Sequence, residues 1–436
     1  MPSFRPRLRL VGLVARAVIC TACLANIGCR TTVDSLGYNA TSDAAYHTLY
    51  PLTVPPACPN AFRDVLGKSE AEITAKIDAA FNTLFHGNPA DQAIFFQVGS
   101  DEADIQDIFH NSEVRTEGIG YGMIICVEFN KQFEFDQLWR YAKNVLMVST
   151  GSNRGYFASY CDTSSDSSST TKPCYDPFGL EQLVMALVFA HDRWGSNAND
   201  SGAGAVDYST DALMLFNLMR NKEAENGGVV DGVTNSFDAT THLVFDLPDV
   251  SASTFTRHAA VMPAYYELWA QATGDAFWTE AANSARLFWK QAANTNTGLL
   301  PIRTMFSGQP YTGWNTFGAE GYRAQLNMVL DSIWNGHEPW EVTEADRLLQ
   351  FFYGQGIDLY GMSYTLDGVV LDTTHDAALI VTNGMTALIA DATAAGRTDF
   401  ITAAWNQPIP TGNTRYYAGL LDILSLLVLS GRYCVY

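Results

Sequence analysis

Leu420-Leu421-Asp422-Ile423-Leu424-Ser425-Leu426-Leu427 is apolar on nearly every face that a helix can present. A helix of this kind belongs inside a large protein, with neighbours on both sides. It is too short, and interrupted by Asp422, to span a bilayer. The run that contains it, 415–430, is the last of about twelve segments with helical period. The others are 69–87, 117–129, 131–148, 180–191, 209–221, 258–272, 275–293, 318–334, 341–355, 376–392 and a weaker one at 399–405. In 131–148 the stripe is Phe135, Leu138, Trp139, Ala142, Val145 and Leu146; in 180–191 it is Leu180, Leu183, Val184, Leu187, Val188 and His191. Neither alternates as a strand would. Ser69-Glu70-Ala71-Glu72 opens the first helix with the look of a capping box. The chain reads as helices and little else. Antiparallel helices with buried inner members fit an all-α barrel of helix pairs, although periodicity leaves a solenoid or an irregular bundle open.

Composition narrows the function. Hydrophobic residues make up 47% of the 436 and charged residues 17%, enough for a large core and too apolar for a disordered chain. Asp plus Glu outnumber Lys plus Arg by 46 to 26, for a net charge of −20. Nucleic acid is therefore excluded as a partner, because phosphate binding needs a basic footprint. Aromatic residues reach 12%, and their faces suit both sugar rings and ordinary cores.

The amino terminus reads as an address. Arg5, Arg7, Arg9 and Arg16 precede the apolar stretch Ala17–Gly28, the pattern of a secretory signal over 1–28. Cys29 stands where the lipid-bearing cysteine of a bacterial lipoprotein would, so an exported chain, secreted or lipid-anchored, is expected. An acidic protein has no affinity for anionic lipid of its own, so any membrane contact would come through that lipid. Residues 29–60, rich in Thr, Ser, Ala and Pro, read as a linker or irregular lead-in, and 61–436 as one domain. Five cysteines remain beyond the signal and its end. Cys161 and Cys174 flank a Ser-, Thr- and Asp-rich loop that a disulfide would clip in an exported protein. No metal-ligand spacing is present, and neither a metal nor an organic cofactor is expected.

Val114-Arg115-Thr116-Glu117-Gly118-Ile119-Gly120-Tyr121-Gly122-Met123, followed by Phe133-Glu134-Phe135-Asp136-Gln137-Leu138-Trp139, resembles glycoside hydrolase family 8, and within it the reducing-end xylose-releasing exo-oligoxylanases. Gly155-Tyr156-Phe157-Ala158, Met185-Ala186-Leu187, Arg193-Trp194-Gly195, Pro263 to Ala270, Gly321-Tyr322-Arg323 and Arg415-Tyr416-Tyr417 continue the resemblance in order. It implies an (α/α)6 barrel of about twelve antiparallel helices with an active-site cleft at one end. It also implies inversion at the anomeric carbon and cleavage of β-1,4-linked xylan, glucan or chitosan.

Inverting hydrolysis needs two carboxyl groups, ~6.5–9.5 Å apart so that a water fits against the sugar. The resemblance makes Glu117 the acid; the alternative is a helix-start Glu held by the macrodipole. It gives the base slot, three residues before Arg323, to Glu320 where the family has Asp; the alternative is a surface Glu paired with Arg323. Arg323 would orient the base, and Tyr416 and Tyr417 would help hold the attacking water. Gly118, Gly120 and Gly122 would leave room for substrate, and Tyr121 would offer a hydroxyl. Tyr160, Asp176, Trp314, Phe317 and Tyr322 are candidate sugar contacts. Three further family positions depart: Phe178 replaces an Asp that contacts the sugar, and Ala260 and Val261 replace a Tyr-His pair, with His258 one turn away. These changes are expected to remove polar contacts and add apolar surface. The expected partner is a short β-1,4-linked oligosaccharide, with β-glucan, chitosan or a non-catalytic glycan-binding role as alternatives.

Overall fold

The computed structural model describes residues 46–55, 58–161, 175–196, 205–336 and 338–436. The expected signal, Cys29, most of the lead-in and Cys174 lie outside the described residues. Among those described, the helices are α1 (Ala61–Asp64), α2 (Glu70–His86), α3 (Thr116–Glu128), α4 (Gln132–Tyr141), α5 (Pro177–Trp194), α6 (Tyr208–Asn226), α7 (Pro263–Thr273), α8 (Ala276–Ala292), α9 (Ala319–Asn335), α10 (Pro339–Gln355), α11 (Ala377–Ile389), α12 (Arg397–Asn406) and α13 (Arg415–Leu429). Apart from the single turn of α1, they are the twelve segments read from periodicity. Ser69 caps α2 in a full capping box with Glu72, as its sequence suggested.

The helices sort into two rings by burial. α3, α5, α7, α9, α11 and α13 bury most or nearly all of their residues. α2, α4, α6, α8, α10 and α12 bury one stripe each. The inner ring is continuous: α13 packs on α3, α3 on α5, α5 on the turn His258–Ala260 that leads into α7, α7 on α9, α9 on α11, and α11 on α13. Alternation of inner and outer helices along the chain makes the inner six parallel, with their amino ends together. The all-round apolar run at 420–427 is the inner helix α13, and it is buried throughout.

Sequence reading missed the strands. Among the described residues there are nine short ones: β1 (Phe95–Val98), β2 (Glu102–Asp107), β3 (Glu113–Arg115), β4 (Tyr160–Cys161), β5 (Phe255–Arg257), β6 (Arg303–Met305), β7 (Thr316–Phe317), β8 (Ser363–Thr365) and β9 (Val370–Asp372). They form antiparallel sheets β1-β2-β3-β4, β5-β6 and β7-β8-β9. At two to six residues they carry too little alternation to register as period two. Their place matters more than their size. β3, β5, β7 and β9 each run toward the amino end of an inner helix, so the sheets brace that end of the barrel.

Close helix packing explains the glycines of α3. A Cβ on Gly118 would meet the Tyr416 hydroxyl at 2.6 Å, one on Gly120 the Gln182 Cβ at 2.4 Å, and one on Gly122 Ile105 and Leu138 at 3.0–3.1 Å. The expectation that these glycines make room for substrate is corrected: they make room for α5, α13 and the β2 region. Gly179 of α5 completes the crossing, since a Cβ there would lie 2.8 Å from the Glu117 nitrogen. Cys161 is disulfide-bonded; Cys58, Cys126 and Cys434 are free thiols.

Gly120→Ala overfills the α3–α5 crossing and is expected to cost about 1–3 kcal/mol in urea unfolding. Burial, only partly offset by a hydrogen bond from Gln106, also raises the Asp104 carboxyl to about 7. Burial raises Glu128 and Glu344 to about 8. An unfolded chain loses these protons near pH 4 and the folded one only near pH 7–8, so stability falls as pH rises through that window. Asp104→Asn, which cannot ionise, is expected to narrow the difference in melting temperature between pH 5 and pH 8.

Candidate active site

Four inner-helix starts converge at the braced end. Glu117 lies in the first turn of α3 and Glu320 in the first turn of α9. Neither helix has a side-chain cap, and both carboxylates stand at the positive end of a helix dipole. Arg323, one turn along α9, joins them. Its Nη1 donates to Glu117 Oε2 at 2.6 Å and its Nη2 contacts Glu320 Oε1 at 2.7 Å. The fork of one guanidinium thus bridges the two carboxylates directly.

The guanidinium is buried, and burial opposes its charge; Glu117 and Glu320 more than compensate and hold its pKa well above the ordinary value. Aromatic faces close around it, with Phe178 4.7 Å and Tyr417 5.7 Å from its centre to the ring. Phe178 is 1% exposed, Ala260 0% and Val261 1%. The expected apolar surface at these three positions is therefore corrected: the residues are interior, and Phe178 stacks on Arg323. His258 is also interior. It pairs with Thr304 at 2.7 Å and stacks on Phe288, and burial lowers its pKa to about 3, so it is a neutral core histidine.

Several polar atoms at this end are buried without a hydrogen-bond partner among the described residues: Tyr121 Oη, Glu320 Oε2, Arg323 Nε and Tyr416 Oη. Unpaired groups of this kind are costly in a folded protein and need an explanation. Here they come from α3, α9 and α13, and all surround the two carboxylates. Burial, and then the nearby charge of Glu117, raises the Tyr416 hydroxyl well above its usual pKa, so it remains a proton donor. The Tyr121 hydroxyl is also raised, by burial first. Tyr417 differs, because its hydroxyl donates to the Ala319 carbonyl at 2.8 Å and ties α13 to the start of α9.

The remaining sequence candidates divide. Asp176 caps α5 through Phe178 N and is bound by Arg257 at 2.8 Å. Arg257 also bonds Asp246, which in turn bonds Arg303, and the Arg303 guanidinium lies 4.0 Å from the Trp314 ring centre. Trp314 and Tyr160 are each 45% exposed and present open ring surface. Phe317 and Tyr322 do not. They are 1% and 0% exposed, Phe317 packs on Phe352, and the Tyr322 hydroxyl is spent on the Met362 carbonyl. Their assignment as sugar contacts is corrected to core.

Sequence reading missed Arg115 and Arg257. Arg115 was legible, two residues before Glu117; it bonds Asp107 and Glu113, and its guanidinium is raised by nearby Tyr416, Glu113 and Glu117 against the opposing effect of burial. Arg257 had no signal, because its partners Asp176 and Asp246 are 81 and 11 residues away. Among the described residues, Asp107, His110 and Glu113 bring ligating atoms within 4.8 Å of one another, but Arg115 already pairs with both carboxylates.

Residues 98–431, which include this acid–cation–acid bridge, match the family described as glycosyl hydrolases family 8. The chain belongs to that family, whose solved members are (α/α)6 barrels. It is 31% identical over 85% of its length to the reducing-end xylose-releasing exo-oligoxylanase Rex8A of Paenibacillus barcinonensis, 94% of which is covered. The structure of that protein with xylose superposes at a TM-score of 0.78, with 30% identity, 87% of this chain and 98% of the other. A family 8 xylobiose complex from Teredinibacter turnerae superposes at 0.79, with 31% identity and the same coverages. Endoglucanase 2 of Ruminiclostridium josui is 28% identical over 75% of this chain and 66% of its own.

Tyr416→Phe separates site from scaffold. Its hydroxyl has no partner among the described residues, so its loss is expected to leave the melting temperature unchanged or slightly raised, within about 1 kcal/mol. The same change is expected to lower kcat/KM at least about tenfold on an oligosaccharide substrate.

Proposed function

We propose that this protein is an exported, inverting hydrolase that acts on short β-1,4-linked xylo-oligosaccharides, with Glu117 as general acid and Glu320 as general base. The observation that carries the reading is the single buried guanidinium bridging two helix-start carboxylates, with unpaired hydroxyls on either side. In the reactive complex Glu117 carries a proton and trades its bond to Arg323 for the glycosidic oxygen. It gives that proton to the leaving sugar as the C1–O bond breaks. Glu320 takes a proton from a water that bonds to C1 on the opposite face. Its Oε2 is buried and unpaired, which leaves an acceptor free for that water. Arg323 remains between them and steadies whichever carboxylate is ionised.

The xylan preference rests on the relatives that release xylose from the reducing end, and the signal-like segment 1–28 supports export. A β-glucan preference is the second reading, favoured by the endoglucanase similarity.

Product release from reduced-end-labelled xylotriose and cellotriose, with proton NMR of the anomer first formed, tests both. Faster cleavage of xylotriose with the α-anomer appearing first is expected. Glu117→Gln and Glu320→Gln are each expected to lose at least about 100-fold in kcat. Faster cleavage of cellotriose would move the reading to β-glucan. A β-anomer would overturn the inverting assignment, and cleavage intact in both variants would overturn the residue roles.

A further inference from the structure

The lead-in and the chain end meet away from the active site. The Cys58 Sγ lies 3.8 Å from the Tyr433 carbonyl oxygen, the group joined directly to the nitrogen of Cys434. Gly431 allows this approach: its φ is +68°, and a Cβ there would come within 2.7 Å of the Cys58 carbonyl. The tail is fixed on both sides of Cys434. The Tyr433 hydroxyl bonds that of Tyr265 at 2.9 Å. The Cys434 nitrogen and the Tyr436 hydroxyl both donate to Glu128 Oε2, at 3.1 and 2.8 Å. The lead-in is tied down too, through Tyr50 N to Ala272 O and Leu52 N to Asp192. Both thiols are half-buried, unlike that of Cys126, which is fully enclosed.

We infer that Cys58 and Cys434 form a second disulfide, which staples the lead-in to the chain end. A bridge needs Cα atoms about 4.4–6.8 Å apart, and the Cys58 sulfur lies against the carbonyl that immediately precedes Cys434. Burial, then the charges of Glu128 and Cys58, raise the Cys434 thiol to about 11, and burial, then Glu128, raises the Cys58 thiol. The two thiols lose two protons and two electrons as the S–S bond forms. The electrons reduce an external disulfide oxidant to two thiols. A high thiol pKa slows the first attack and does not change which pair is formed. The bond closes a loop that includes nearly the whole barrel, so it constrains the unfolded chain strongly.

The test uses the whole protein and does not depend on export, because the oxidant is supplied. The protein is incubated with oxidised glutathione, alkylated with iodoacetamide without reduction, digested and mapped by mass spectrometry. The expected result is a linked peptide pair containing Cys58 and Cys434 that separates on reduction. The oxidised form is expected to melt about 2–6 °C above the Cys434→Ser variant, in which Cys58 is no longer linked to any cysteine. Complete alkylation of both cysteines in the oxidised wild type would overturn the inference, as would a stable glutathione adduct on either or a link from Cys58 to another cysteine. Protection of Cys126 from alkylation before denaturation confirms that the protein under test is folded.

Discussion

One guanidinium holds two helix-start carboxylates together. Arg323 is almost fully buried, and a lone buried cation would be prohibitively costly. It persists because Glu117 and Glu320 each give it an oxygen, and because two aromatic faces replace the water it has lost. Removing either acid would leave the other sharing the cation alone, and removing Arg323 would set two carboxylates against each other without compensation. Those three residues come from two helices 206 positions apart at the nearest bond. The relative placement of α3 and α9 is therefore as much an electrostatic matter as a matter of packing.

The barrel makes that placement cheap. Parallel inner helices bring six positive dipole ends to one face, where carboxylates are welcome. The short sheets brace the loops that enter those helices, and the glycines of α3 let α5 and α13 approach until Tyr416 touches the backbone at Gly118. Among the described residues, a set of hydroxyl, carboxylate and guanidinium atoms at this end has no hydrogen-bond partner. A pyranose, dense in hydroxyls, is the kind of ligand that pairs with such a set.

The departures from the family pattern acquire a physical meaning in the structure. Phe178, in place of a carboxylate, does not open the site to apolar surface; it stacks on Arg323 and presents its ring to the edge of Tyr121. The carboxylate that remains nearby, Asp176, is engaged by Arg257, which shares Asp246 with Arg303 and so reaches the exposed Trp314. An ion-pair chain thus runs from the start of α5 to an open aromatic ring. Glu320, one methylene longer than Asp, is bound by Arg323 one turn along the same helix, where an i,i+3 pair meets naturally.

The sequence by itself determined the helices, because a period of 3.6 repeated over ten or more residues is a local property that survives without knowledge of the partner. Glu117 and Arg323 were legible as candidates, since both sit in ordered motifs that can be read along the chain. The inner and outer assignment was half legible, in that α13 is apolar all round while α8 carries one stripe. Only the tertiary structure decided the rest. The nine strands were too short to have a period. Phe317 and Tyr322 looked like platforms, and burial made them core. Arg257 gained its partners across 81 residues, and the glycines of α3 turned out to face helices, not substrate. Each of these depends on which surfaces meet, and an apolar ring, an arginine or a glycine carries no local mark of what will be set against it.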